Sequence, residues 1–468
     1  MRTISEALLH ILLITLLVLF LQCACSNMIT LPIKTFNWST GTQTGTYSSL
    51  RGRADGTTWK PVGLCTIGNM VYITDVCDWD TLQLRLQAFD TTDAMQHSVD
   101  GWVYQWSSSV NLTGTSWPWI YGDYADSAED WWWMGIGRQR STPLVTDGTN
   151  IFAIARTITA TTKRYQLIKF DGTDGHEMAR VTLADLPTAE VSGFCYHQAT
   201  NALYYSVWTT VNNNRVYRMP TTLGTPTQII LRSLPTQMVM AFCDGGAVIL
   251  ESLWTTDGRS STGIYGRNPA TWAYSATDRY STAALPLAAT STELTCINAP
   301  NTILNVGDNI RRYRRGVDGA LLDTYAPTHV YAGGGSGTIP GTLGWTWYAA
   351  GVLNGQPSVL DACWIEGLDT ITDPKTGVTI TVYTAGGPVG YAYLYVRVVN
   401  PDGTWNKLMY LGMGYAHPRI RVDTDGSLLL TVLDCDPFPG GYAMRYTPYS
   451  GTIVTFRSLN GGIGWAPE

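Results

Sequence analysis

The chain has 468 residues, a formal net charge of −6 and only 14% charged residues, against 11% aromatic residues and 47 glycines. A basic surface for nucleic acid is excluded, and so is the low-hydrophobicity, high-charge composition of a disordered chain. The mixture suits short strands joined by tight turns, an all-β architecture.

At the N-terminus, Arg2 precedes an apolar stretch over residues 11–21 and the small residues "CACS" at 23–26. This order reads as a signal peptide over residues 1–26, or as the same segment retained as a signal anchor. Either form predicts export to an extracellular or cell-surface location, with membrane contact only through that anchor. Two sequons, "NWS" at Asn37 and "NLT" at Asn111, are compatible with export. Residues 27–60 form an N-terminal segment, and 461–468 a short tail. Seven cysteines follow residue 25, with no CxxC spacing, which argues against a zinc site or a dense disulfide framework.

Between these ends lies a repeat. Asp-Gly occurs ten times, a hairpin signal where alternating apolar residues flank it. Each unit reads as two hairpins separated by a variable loop. First hairpins include "GLCTIGNMVYIT" from Gly63, "PLVTDGTNIFAIA" from Pro143, "GFCYHQATNALYYSV" from Gly193, "AFCDGGAVILESL" from Ala241, "LTCINAPNTILNV" from Leu294, "LDACWIEGLDTIT" from Leu360 and "IRVDTDGSLLLTV" from Ile420. Second hairpins include "LRLQAFDTTDAMQHSV" from Leu84 and "YQLIKFDGTDGHEMARV" from Tyr165. The pattern predicts a seven-bladed β-propeller of four-stranded antiparallel blades over residues 61–460. Either "MITLPIKTF" (28–36) or "GTIVTFRSL" (451–459) closes the ring.

These units resemble those of secreted quinoprotein-type and related propellers, as in "KFDGTDGHEMARV". The resemblance implies architecture over about residues 61–460. It implies no chemistry, because the Gly-Lys and closing Trp of quinoprotein repeats are missing, as are the Gly-His and Trp-Asp pairs of WD repeats. Cys65, Cys195, Cys243 and Cys296 align at the end of the first strand of their units, with Cys363 near the same place. Small buried thiols acting as hydrophobes account for them.

The longest connections expected are residues 100–141, a Trp-rich insertion, and residues 326–358; a further loop is expected at 366–390. All fall on one face, where propellers usually bind. Within "WPWIYGDYADSAEDWWWM", Trp117, Trp119, Tyr121, Tyr124, Trp131 and Trp133 stand among Asp123, Asp126, Glu129 and Asp130. Indole faces stack on sugar rings, and carboxylates accept their hydroxyl hydrogen bonds. Period two would send Trp132 to the side opposite Trp131 and Trp133. Trp208 and Trp254 match each other in neighbouring units and run into the same face. The opposing reading is that these aromatics pack their own loop against the scaffold.

Other motifs point to scaffold. "RRYRRG" (311–316) reads as a solvated outer edge. "DGTDGHE" (171–177) and "DTDGS" (423–427) read as turns that do not complete a calcium loop, and "GGGSG" (333–337) lacks the remainder of a phosphate loop. No metal site or cofactor is expected. The sequence therefore predicts an exported binding module for carbohydrate or a surface protein. Two alternatives stay open: a secreted glycosidase- or lyase-type enzyme using the acids of the insertion, and a structural component of a surface layer or virion.

Overall fold

Alternation of side chains along a strand gives every sheet two faces, and here both faces are apolar. The computed structural model describes residues 30–460 apart from connecting segments, the longer of which are 51–58, 91–102, 121–143, 256–262, 299–308, 339–345 and 349–357; residues 1–29 and 461–468 also lie outside the described residues. Antiparallel sheets of four or more strands occupy 59–111, 116–186, 190–232, 238–280, 284–325, 364–413 and 415–460. Successive inner strands pack on one another: Trp59–Ile67 on Leu144–Thr146, then Glu190–His197, Met238–Asp244, Ala284–Ala289, Trp364–Thr372 and Tyr415–Val422, which returns to Trp59–Ile67. The fold is a β-propeller, all-β and built from four-stranded antiparallel blades.

Packing between sheets follows from the two apolar faces. In the strand Asn150–Ile158, Ile151, Ala153 and Ala155 join Leu84, Leu86 and Tyr72 of the preceding sheet. Their neighbours Phe152 and Ile154 join Phe194, Leu203 and Tyr205 of the following sheet. Each fully buried large aliphatic or aromatic side chain contributes roughly 1.5–3 kcal/mol, so the 116–186, 190–232 and 238–280 sheets are held from both sides.

Three strand assignments differ from the sequence expectation. In the fifth unit the inner strand is Ala284–Ala289, and it pairs with Glu293–Asn298. "LTCIN" is therefore the second strand, and Cys296 does not match Cys65, Cys195 and Cys243. Pro286 in "ALPLAA" masks the strand, yet it sits at a register shift on an edge, where the missing N–H is tolerated. In the first unit the partner of Gln83–Asp90 is Val103–Asn111 rather than residues 93–99. That outer strand, "VYQWSSSVN", reads as polar because residues such as Gln105 and Ser109 are exposed.

In the sixth unit the expected loop over 366–390 is largely a hairpin, Trp364–Thr372 with Thr379–Gly386. Its threonines disguise it. Thr370 and Thr381 are buried, and the Thr370 hydroxyl lies 3.3 Å from the Ile380 carbonyl and 3.2 Å from the Thr381 hydroxyl. Both proposed closing segments lie in the last sheet. Thr452–Asn460 is the fourth strand of the 415–460 sheet, and the hairpin Thr30–Asn37/Thr42–Leu50 adds to its outer edge through Asn37 opposite Thr452.

Cys65, Cys195 and Cys296 are buried and Cys243 is half-buried; all four are free thiols. Burial pushes the Cys195 thiol far up and the Cys296 thiol up to about 12, so neither is a thiolate near neutrality. Cys363 lies outside the described residues. Alkylation with iodoacetamide at pH 8, read by peptide mass spectrometry, should leave Cys195 and Cys296 unlabelled in the native protein. Both should label fully in urea.

Candidate functional site

The Trp-rich segment has an attachment that the sequence did not reveal. The inner strand of the 116–186 sheet comes in two pieces, Ser116–Ile120 and Leu144–Thr146, both paired with Asn150–Ile158. Ile120 stands opposite Ala155, and Leu144 opposite Ala153. Residues 121–143 are thus inserted within the innermost strand, not in the connection between sheets. Of the residues singled out, Trp117 and Trp119 belong to the first piece, with Trp119 opposite Arg156. Tyr121, Asp123, Tyr124, Asp126, Glu129, Asp130, Trp131 and Trp133 lie outside the described residues.

The expected insertion over 100–141 is shorter in consequence, because 103–111 and 116–120 are strand. Trp106 is scaffold: it packs on the first core cluster, with its ring centroid 5.9 Å from that of Tyr72. It also covers the turn of the next sheet at Gly175, whose φ is +74°, and a β-carbon there would collide with the indole. The other long connection, over 326–358, holds nested ribbons, His329–Tyr331 with Ser358–Leu360 and Ser336–Thr338 with Thr346–Tyr348.

Trp254 lies near the end of Ile249–Thr255, opposite Val239. Trp208 lies near the end of Ala202–Thr210, in a row across its sheet: Glu190, Trp208, Asn214 and Arg232 stand directly opposite one another. Arg232 marks which way the row faces. Its Nη2 lies 2.7 and 3.0 Å from the carboxylate oxygens of Glu251 on the next sheet. Glu251 is fully buried and also accepts from Arg267 Nε at 2.5 Å and Trp272 Nε1 at 3.2 Å. Arg267 in turn stacks over the Tyr274 ring at 3.7 Å.

Arginines elsewhere bind within and between sheets. "RRYRRG" is not a solvated outer edge: residues 309–314 form a third strand, flanked on both sides. Arg312 is buried and meets Glu293 at 2.7 Å. Arg315 donates to the carbonyls of Gly245 at 2.6 Å and Thr290 at 2.8 Å, and approaches Asp278 at 3.4 Å.

Asp171, Asp174 and His176 bring their ligand atoms within 4.8 Å of one another. The turn itself uses them. Asp171 Oδ1 accepts from the Thr173 N–H at 2.7 Å, and Asp174 Oδ1 accepts from the His176 N–H at 3.0 Å and contacts His176 Nδ1 at 2.6 Å. These hydrogen bonds hold the Asp174 carboxyl below its ordinary 3.8, and the bond from Asp174 raises His176 above 6.5.

The sequon residue Asn111 is exposed at the end of its strand, with Oδ1 accepting from Gln83 Nε2 at 3.0 Å. Asn37 ends the strand Thr30–Asn37.

Two outcomes are expected. Glu251→Ala leaves the buried Arg267 guanidinium and the half-buried Arg232 guanidinium without their carboxylate and should cost about 3–5 kcal/mol in urea unfolding. In an NMR titration, His176 should titrate above 6.5, and Asp174→Asn should return it toward 6.5. The raised imidazole contributes stability below pH 6.5 that is lost as pH rises through its folded value. The lowered carboxyl contributes above pH 3.8 and loses this as pH falls through its folded value. The pair is therefore strongest between those limits.

No family model matches the chain, and no curated protein is significantly similar to it. Among solved structures, it is similar to lmo1340 from Listeria monocytogenes, with 9% identity over 87% of this chain and 97% of that one and a TM-score of 0.44. It is similar to the β-propeller domain of the trilobed protease from Pyrococcus furiosus, with 6% identity over 88% and 100% and a TM-score of 0.44. TolB from Acinetobacter baumannii shows 12% identity over 84% and 81%, with a TM-score of 0.37. Each is a likeness of fold.

Proposed function

We propose that the chain is an exported binding module that takes carbohydrate through its Trp-rich segment, with Trp208 and Trp254 as further contacts. The observation that carries this reading is the attachment of residues 121–143. A segment of indoles, tyrosines and carboxylates leaves and re-enters one strand opposite Ala155 and Ala153, so a rigid sheet holds both of its ends. Functional loops on fixed scaffolds are built in this way. Its composition suits a polyhydroxylated ligand, with apolar faces for sugar rings and oxygen acceptors for hydroxyl groups.

A glycan-array screen of the full chain tests the reading, beside the Trp117→Ala/Trp119→Ala and Trp131→Ala/Trp133→Ala variants. The expected result is binding by the wild type, weakened at least about tenfold in one double variant with an unchanged urea midpoint. Equal binding by all three proteins would remove the segment from the site. Capture of a surface protein with no glycan bound would replace the carbohydrate ligand.

A further inference from the structure

An outermost strand presents a row of unpaired N–H and C=O groups to any passing strand, and proteins blunt such edges with charged residues or proline. In the sheets of four or more strands, five outermost strands follow this rule. Glu177–Leu186, Thr227–Arg232, Tyr274–Tyr280, Leu321–Tyr325 and Asn406–Met413 each carry at least one charged residue. Two do not. Val103–Asn111 ("VYQWSSSVN") and Thr42–Leu50 ("TQTGTYSSL") are outermost in their sheets, nine residues long, and hold neither charge nor proline. Each is also where a sequon falls. "NLT" begins at Asn111, the last residue of the first strand, and "NWS" begins at Asn37, paired with Thr42 at the start of the second.

Asn111 is placed for modification. It shares a face of its strand with Gln105 and Ser109, and all three are exposed. Its Oδ1 accepts from Gln83 Nε2 at 3.0 Å, and its Nδ2 has no partner among the described residues. The main chain is held separately: Arg180 Nη1 donates to the Asn111 carbonyl at 2.6 Å, and Leu112 is buried. A large substituent on Nδ2 displaces none of these contacts. We infer that Asn111 and Asn37 carry N-linked glycans that shield the two uncharged edges. In the transfer, Nδ2 bonds to the anomeric carbon of a lipid-diphosphate-linked oligosaccharide. The bond from that carbon to the phosphate oxygen breaks, Nδ2 loses a proton, and the lipid diphosphate leaves. A bulky, hydrated glycan at the end of an edge strand keeps a second strand from docking there. The inference rests on the export part of the reading above, and not on the ligand proposed there.

The test is expression of the full chain, with its own leader, in insect cells. Peptides are read by mass spectrometry after N-glycosidase F in heavy-oxygen water, which turns each glycosylated asparagine into a labelled aspartate. The expected result is secreted chain with label at Asn111 and at Asn37. Sedimentation velocity then compares the wild type with Asn111→Gln, Asn37→Gln and Asn111→Gln/Ser109→Lys. Each single variant should self-associate. The double variant should sediment as the wild type does, because a lysine on the exposed edge blunts it in place of the glycan. Secreted chain without label at one asparagine overturns the glycan at that edge. A single variant that sediments as the wild type does overturns shielding there, and so does self-association of Asn111→Gln that Ser109→Lys fails to relieve. Chain retained in the cytosol overturns the export reading, and the glycans with it.

Discussion

The sheets at 116–186, 190–232 and 238–280 are each buried on two sides at once. An isolated four-stranded sheet with Ile151 and Ala153 on one face and Phe152 and Ile154 on the other has no solvated side. It can be stable only between two neighbours, and the same holds for those neighbours. A row of such sheets would end in two exposed apolar faces, whereas a closed ring has none. The return of the last inner strand to the first is the geometric consequence of that demand. The fold is thus dictated less by any single blade than by the lack of an acceptable end.

Charge enters this arrangement where apolar faces alone would slide. Glu251 sits in the same interface as Phe242, Ile249 and Trp272, and its carboxylate is reached by guanidinium groups from both sheets. A buried carboxylate tolerates only the positions that satisfy it, so the pairing fixes where one blade stands against the next. Arg315 does comparable work at the turn end, spanning carbonyls and a carboxylate from separate hairpins. Such groups contribute little net stability against an apolar replacement. Their effect is on alignment.

Much of the propeller was legible because hairpin chemistry and period-two alternation are local. "TDGTN" is a case: Asp147 Oδ1 accepts from the Thr149 and Asn150 N–H groups at 2.9 and 2.7 Å, as an Asp-Gly turn should. The strands that escaped notice were those whose polarity follows from position in the sheet. Val103–Asn111 is outermost and partly wet, Ala284–Ala289 carries a proline on an edge, and Thr381 of Thr379–Gly386 hides its hydroxyl in a cross-strand bond with Thr370. The candidate site was less legible still. Trp208 was visible as an aromatic at a strand end, but the pairing of Arg232, in the same row, with Glu251 depends on strand register and on the next sheet. The attachment of residues 121–143 depends on two short strands sharing one partner, which no local pattern encodes.

That shared partner has a consequence for how this protein can change. Ile120 and Leu144 are held against the same strand, two residues apart in register, so the chain between them has both ends fixed whatever its length. Doubling such a segment adds only about 0.6 kcal/mol of closure entropy, and no sheet needs to move. The insertion can therefore be lengthened, shortened or exchanged in descendants of this sequence while the ring beneath stays the same. A scaffold of this kind separates the pace at which recognition can vary from the pace at which the fold can.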